Sequence, residues 1–160
     1  MRRHDRAPIP KSLRGSSGGG QSAIFAKPSF QGGIFPKSRR RNIPDVSFAG
    51  SAFSPGFFLG TGTPPTIACC FGGTSLGAPV WAGISALAAQ NAGVARIGNI
   101  NAGVYTLGPS GNTSSSGFHD ITIGNNGFKG VAGFPAKPGF DRATGWGTPD
   151  VGILVPLLRP

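Results

Sequence analysis

The sequence predicts an α/β fold, and three observations carry that expectation. An apolar run over residues 66–71 reads as a strand that meets a glycine turn and then a helix over residues 75–91. The helical stretch is apolar nearly all round, with Leu76, Val80, Trp81, Ile84, Leu87 and several alanines, as expected of a helix buried on every side. The composition, 28 glycines and 15 prolines against 12% charged residues, suits a loop-rich enzyme better than a helix bundle. At 160 residues the chain is long enough to form one domain around a real core.

Charge divides the chain unevenly. The net charge is +10, and ten of the fifteen Lys and Arg lie within the first 41 residues, leaving the remainder close to neutral. A basic segment attracts nucleic acid or anionic membrane. No groove-reading helix and no aromatic-interleaved basic platform accompanies it, so specific nucleic-acid binding is not expected. No run of about 18 apolar residues exists to make a transmembrane helix. The start, Met1-Arg-Arg-His-Asp-Arg6, has the charge of a signal peptide but no apolar core after it, so no signal peptide is visible. Residues 1–15 are expected to be a disordered basic leader. Cys69 and Cys70 are adjacent. They lack metal-pair spacing, and a disulfide between neighbours is strained, so two thiols on opposite faces of a strand are expected.

The chemistry centres on Ser75. Its hydroxyl falls at a strand–turn–helix junction, where free N–H groups and the positive dipole end favour developing negative charge. Those are the conditions an acyl-transfer nucleophile needs; a serine that only caps the helix is the alternative. The preceding glycines let the backbone approach a ligand closely, and Pro79 is expected in the first turn or so, where proline is tolerated. The motif Gly73-Thr-Ser-Leu-Gly-Ala-Pro79 resembles the nucleophile motif of subtilisin-like serine peptidases. Subtilisins usually follow that proline with histidine. Val80 stands here, and with the motifs downstream this points to the sedolisin family of serine-carboxyl peptidases. The resemblance implies a partial subtilisin-like fold, a mostly parallel sheet with packed helices and a C-terminal calcium-binding loop region. It covers residues 16–160, as the C-terminal portion of a peptidase domain.

The other elements follow in order. Ser16-Ser-Gly-Gly-Gly20 and the segment to Gln31 are similar to a family stretch in which a glycine loop precedes a short helix and a Pro-aromatic-Gln. Lys37-Ser-Arg-Arg-Arg41 reads as a solvated basic loop. Arg41-Asn-Ile-Pro-Asp-Val-Ser47 resembles a family landmark on a central strand, with Asp45 structural and bonded to nearby backbone N–H groups. A strand over residues 54–60 and a turn at Gly60-Thr-Gly-Thr-Pro-Pro65 lead into the strand before Ser75. Gly83, in mid-helix, suggests close backbone packing, and Gly93 suits a C-cap. Residues 96–107 resemble the family's short second helix, with Ala102 where a proline is usual. A Ser/Gly/Asn loop over residues 109–117 holds the glycosylation triplet Asn112-Thr-Ser114, usable only on a eukaryotic secretory route. Thr148 and Pro149 suit the N-cap and first position of a closing helix.

Asp120 and Asp141, framed by glycine-rich turns, are two of only five acids. Such aspartates can gather oxygens around a hard cation or simply form Asx turns. Phe118-His-Asp-Ile-Thr-Ile-Gly-Asn-Asn126 and Pro138-Gly-Phe-Asp-Arg-Ala-Thr-Gly-Trp-Gly147 resemble the sedolisin calcium site. The resemblance implies Ca2+ held by the side chains of Asp120 and Asp141 and by the carbonyls of Ile121, Lys137 and Gly139. Glycine is usual at position 137, so the lysine must adopt an ordinary backbone angle there.

In this family a glutamate is the general base, an aspartate orients it, and a second, protonated aspartate polarises the substrate carbonyl. None of these can be matched here, and the chain has no Glu at all. His119 and Asp120 cannot replace them, since adjacent residues on an extended segment face opposite ways. The expectation is therefore a serine-type endopeptidase, extracellular by resemblance, acting on protein or peptide substrate. In isolation it would be inactive and would need an N-terminal half of the catalytic domain. The alternative is a degenerate, non-catalytic, calcium-stabilised binding module.

Overall fold

A computed structural model describes residues 17–51, 57–110 and 116–160, with backbone alone for residues 57–59 and 69–71. The basic leader, the first residues of the expected 54–60 strand, the glycosylation triplet and the side chains of the two cysteines lie outside the described residues.

The described strands form three two-stranded antiparallel sheets. β1 (Gly20–Ala26) pairs with β2 (Arg40–Ile43), β3 (Phe57–Thr61) with β4 (Thr66–Phe71), and β5 (Phe118–His119) with β6 (Thr148–Pro149). The expected parallel sheet is not found among the described residues. A four-residue turn joins β3 to β4, and only antiparallel neighbours can be joined so tightly. The segment after Gly20 is a strand rather than a short helix. Ser22 Oγ accepts from the N–H groups of Ile24 (3.1 Å) and Phe25 (2.9 Å), which matches the register shift between Gln21 and Ala26. A single 3-10 turn, Ser29–Gln31, follows. The Pro-Asp-Val-Ser stretch lies beyond the end of β2 at Ile43 and is not part of a strand. Its backbone is instead tied to the C-terminal region, with Trp146 N–H donating to Asp45 O (2.9 Å) and Ser47 N–H to Gly147 O (2.9 Å).

Three helices complete the chain: α1 (Thr74–Asn91), α2 (Asn101–Leu107) and α3 (Val151–Leu157). α1 ends as expected. Gly93 N–H reaches Gln90 O (3.1 Å) and Val94 N–H reaches Ala89 O (3.0 Å), the paired bonds of a Schellman stop. Thr148 and Pro149 sit in β6 instead of starting α3. Asp150 is the cap, accepting from Ile153 N–H, because pairing with β5 holds the two preceding residues extended.

The core joins Ile84 and Ala88 of α1, Val104 and Tyr105 of α2, Leu154 of α3, Leu158, and the aromatics Phe118, Phe140 and Trp146. Tyr105, Phe140 and Trp146 stand mutually at 5.5–5.8 Å between ring centroids, the tilted and edge-on spacings aromatic rings favour. α1 is not enclosed on every side. Ile84, Ala88 and Ala89 are buried, but Leu87 is 49% exposed and a Cβ at Gly83 would meet nothing. The close packing expected at Gly83 is absent.

Candidate active site

Ser75 is the second residue of α1 and is exposed. The N-cap is Gly73, at φ 103°, a conformation natural to glycine. Ser75 therefore does not cap the helix. Leu76 and Gly77 N–H groups both turn back to Gly73 O (3.0 and 3.4 Å), while those of Thr74 and Ser75 donate to nothing among the described residues. Pro79 is the sixth helical residue, further in than expected. Having no N–H, it leaves the Ser75 carbonyl without its helical donor.

Beside this turn lies a mostly apolar cleft of about 840 Å³. Gly73, Thr74, Gly77 and Trp81 line it from the α1 side, and Val46, Phe48, Ile121 and Thr144 are among its other lining residues. Trp81 Nε1 donates to Ser47 O (3.3 Å), tying the indole to another segment that lines the cleft. Ser75 follows Thr74 at the edge of the cleft but is not part of its wall. No carboxylate among the described residues hydrogen-bonds to Ser75.

Asp120 and Asp141 are brought together by one short loop. Asp141, 1% exposed, accepts at Oδ1 from the N–H groups of Ala143 and Thr144 (2.8 Å each) and at Oδ2 from Lys137 N–H (2.9 Å). Asp120 Oδ2 accepts from Gly139 N–H (2.8 Å). The stretch from Lys137 to Gly139 thus runs between the two carboxylates. Lys137 has no positive φ, whereas Gly139 sits at φ 75°. Among the described residues no cationic side chain pairs with Asp141; the two ion pairs are Arg41–Asp45 and His119–Asp150. The two carboxylates are oxygen donors of the kind a hard cation takes.

Asp45 is structural, but its partners are side chains. Oδ1 accepts from Tyr105 Oη (2.7 Å), and Oδ2 pairs with Arg41, which lies half-buried in β2 rather than in a solvated loop. Gln31, fully buried, donates to Tyr105 Oη (2.5 Å) and Asn42 O (2.7 Å) and accepts from Asn42 N–H (2.9 Å). Burial and the bond to Asp45 push the Tyr105 phenol well above its usual value. The Pro-aromatic-Gln and Arg-Asn-Ile-Pro-Asp motifs marked four of its members, but nothing in the sequence signalled that Tyr105, 60 to 74 residues away, joins them. His119 is exposed, with Nε2 3.8 Å from Asp150 Oδ2, and forms no triad with Ser75.

No family model matches the chain. It is 33% identical over 144 residues to sedolisin from Pseudomonas sp. (strain 101), a match covering 90% of this chain and 23% of that protein. Xanthomonalisin from Xanthomonas sp. (strain T-22) is 35% identical over 139 residues, covering 87% of this chain and 16% of that protein. Kumamolisin from Bacillus sp. (strain MN-32) is 35% identical over 158 residues, covering 91% and 26%. In structure the chain is similar to Pseudomonas sedolisin, a serine-carboxyl proteinase solved with two molecules of pseudo-iodotyrostatin. The TM-score is 0.67 at 32% identity, over 86% of this chain and 35% of that one. The chain thus spans about a quarter or less of the curated relatives it matches. The Ser75 motif, the paired aspartates and these matches agree: the chain belongs to the sedolisin family, as the C-terminal part of its catalytic domain.

Proposed function

We propose that this chain supplies the nucleophile of a serine-type endopeptidase that cleaves protein or peptide substrates in an acidic, extracellular setting. The observation that carries this is the exposed Ser75 hydroxyl on the first turn of α1, beside two N–H groups not engaged elsewhere. Ser75 Oγ attacks the scissile carbonyl, and the Ser75 N–H donates to the oxygen as negative charge develops on it. The proton leaving Oγ needs a base. With no Glu in these 160 residues, that base and its aspartate partners come from other polypeptide, and the chain alone is inactive. A carboxylate base titrates far below histidine, which sets the acid range. Asp120 and Asp141, with the carbonyls of Ile121, Lys137 and Gly139, would hold Ca2+, whose charge would lock the loop to both carboxylates.

The test is labelling by a fluorophosphonate at acid pH, read by mass spectrometry. Ser75 is expected to be labelled when the chain is combined with polypeptide carrying the glutamate base and its aspartate partners, and not in Ser75→Ala. If Ser75 stays unlabelled in the combined protein, the peptidase proposal fails. The complete lack of Glu would then favour the second reading, a non-catalytic calcium-stabilised binding module.

A further inference from the structure

A second, open cleft of about 490 Å³ lies away from α1, lined by Gln21, Phe35, Pro36, Lys37, Ser38 and Arg142. Its cationic groups are crowded. The Arg142 guanidinium is 4.4 Å from the Phe35 ring centroid, and the Lys137 ammonium is 5.2 Å from the same centroid. Two cations over one ring repel each other, and neither is neutralised. The ion pairs among the described residues involve neither of them, nor Lys37. Among the described residues no hydrogen bond uses Lys37 Nζ, Lys137 Nζ or the terminal nitrogens of Arg142, so these donors remain open.

Arg142 is also held in place. Its Nε donates to Asn42 Oδ1 (3.0 Å), and Asn42 is fully buried and bonded to Gln31. Gly19 lies so close to the Arg142 carbonyl that a Cβ there would strike it. With Nε engaged, the two remaining nitrogens form the planar fork that suits a carboxylate. Phe35 and Pro36 supply an apolar surface next to it. The polar neighbour Ser38 is already occupied, accepting from Gln21 Nε2 (2.6 Å) and donating to Arg40 O (2.9 Å). Apart from the Gln21 amide oxygen, the groups left for a ligand are cationic and apolar.

We propose that this cleft is a carboxylate-binding pocket that receives an acidic side chain of a peptide segment, with Arg142 and Lys37 on the carboxylate and Phe35 under the adjoining chain. The site is independent of Ser75 and does not rest on the peptidase proposal. Charge complementarity selects the occupant, since the open groups are cations on a chain of net charge +10.

The experiment is titration of the full chain with acetyl-Asp-Glu-Asp-amide, followed by calorimetry and by amide shifts. The isosteric acetyl-Asn-Gln-Asn-amide and inorganic phosphate serve as comparison probes. The acidic peptide is expected to bind at least 10-fold more tightly than its neutral isostere, to weaken with added salt, and to shift residues 35–38 and 142. Lys37→Gln, at an exposed side chain with no bonds to lose, is expected to weaken it about 5-fold, and Arg142→Gln by more. Equal affinity for the acidic and neutral peptides would overturn the proposal. So would unchanged binding in Lys37→Gln, or phosphate binding the same residues more tightly than the peptide.

Discussion

The turn around Asp141 and the flank of α1 solve opposite problems. The turn buries a charge and satisfies it within a few residues, through N–H groups from Lys137, Ala143 and Thr144. The helix is apolar yet buries only one side, leaving Leu87, Ala82 and Gly83 open. The first region is complete in this chain. The second presents an apolar surface of the kind that other polypeptide covers. Ser75 lies in the first turn of this partly exposed helix, so the candidate nucleophile shares an element with exposed apolar surface.

The contrast can be broken most directly at Asp141. Asp141→Ala orphans three N–H donors and should cost about 3 kcal/mol or more, enough to leave much of the chain unfolded. Far-UV circular dichroism with urea titration checks it; a cost below about 1 kcal/mol would mean the turn is not self-sufficient. The two sides of α1 provide the next comparison. Ile84→Ala should cost about 2–5 kcal/mol, against less than about 0.5 kcal/mol for Leu87→Ala in the same urea series. Calcium sharpens the comparison from the other end. If Asp120 and Asp141 hold the ion, saturating calcium at about 100 times its Kd adds about 2.7 kcal/mol. Chelation should then lower Tm, and Asp120→Ala should abolish that response.

A smaller effect is expected at Tyr105. Removing its hydroxyl in Tyr105→Phe leaves Asp45 and Gln31 each short of a partner and should cost about 1.5–3 kcal/mol. The phenol titrates above its usual value of 10.0 in the folded chain, so the proton is held more tightly folded than unfolded. That stability is complete below pH 10 and is lost as pH rises through the elevated folded value. Thermal melts between pH 8 and 11 should show a decline in the parent that Tyr105→Phe flattens.

Much of this arrangement was legible in the sequence. The strand–turn–strand before α1, a helix beginning near Ser75 and its Gly93 stop followed from apolar runs and glycine placement, which are local signals. The expectation that Asp120 and Asp141, twenty-one positions apart, act together came from motif resemblance. Local signals failed where tertiary contacts decide. A Thr-Pro pair that looks like a helix start is drawn into a strand by Phe118 and His119. An all-apolar helix looks buried whether or not anything covers it. Arg41 looks like one more surface cation, yet its partner Asp45, four residues on, is itself held by Tyr105, sixty residues away.

Gly145 and Gly147 carry a final consequence. A Cβ at Gly145 would strike the Asp45 carbonyl, and one at Gly147 would strike that of His119. Three stretches separated by up to a hundred residues therefore close against one another with only hydrogen atoms between them. Such a seam spans most of the sequence, so its closure is entropically late. On the ribosome, residues 45–47 would wait bare until residues 145–147 emerged, and a side chain at either glycine would keep the seam from shutting.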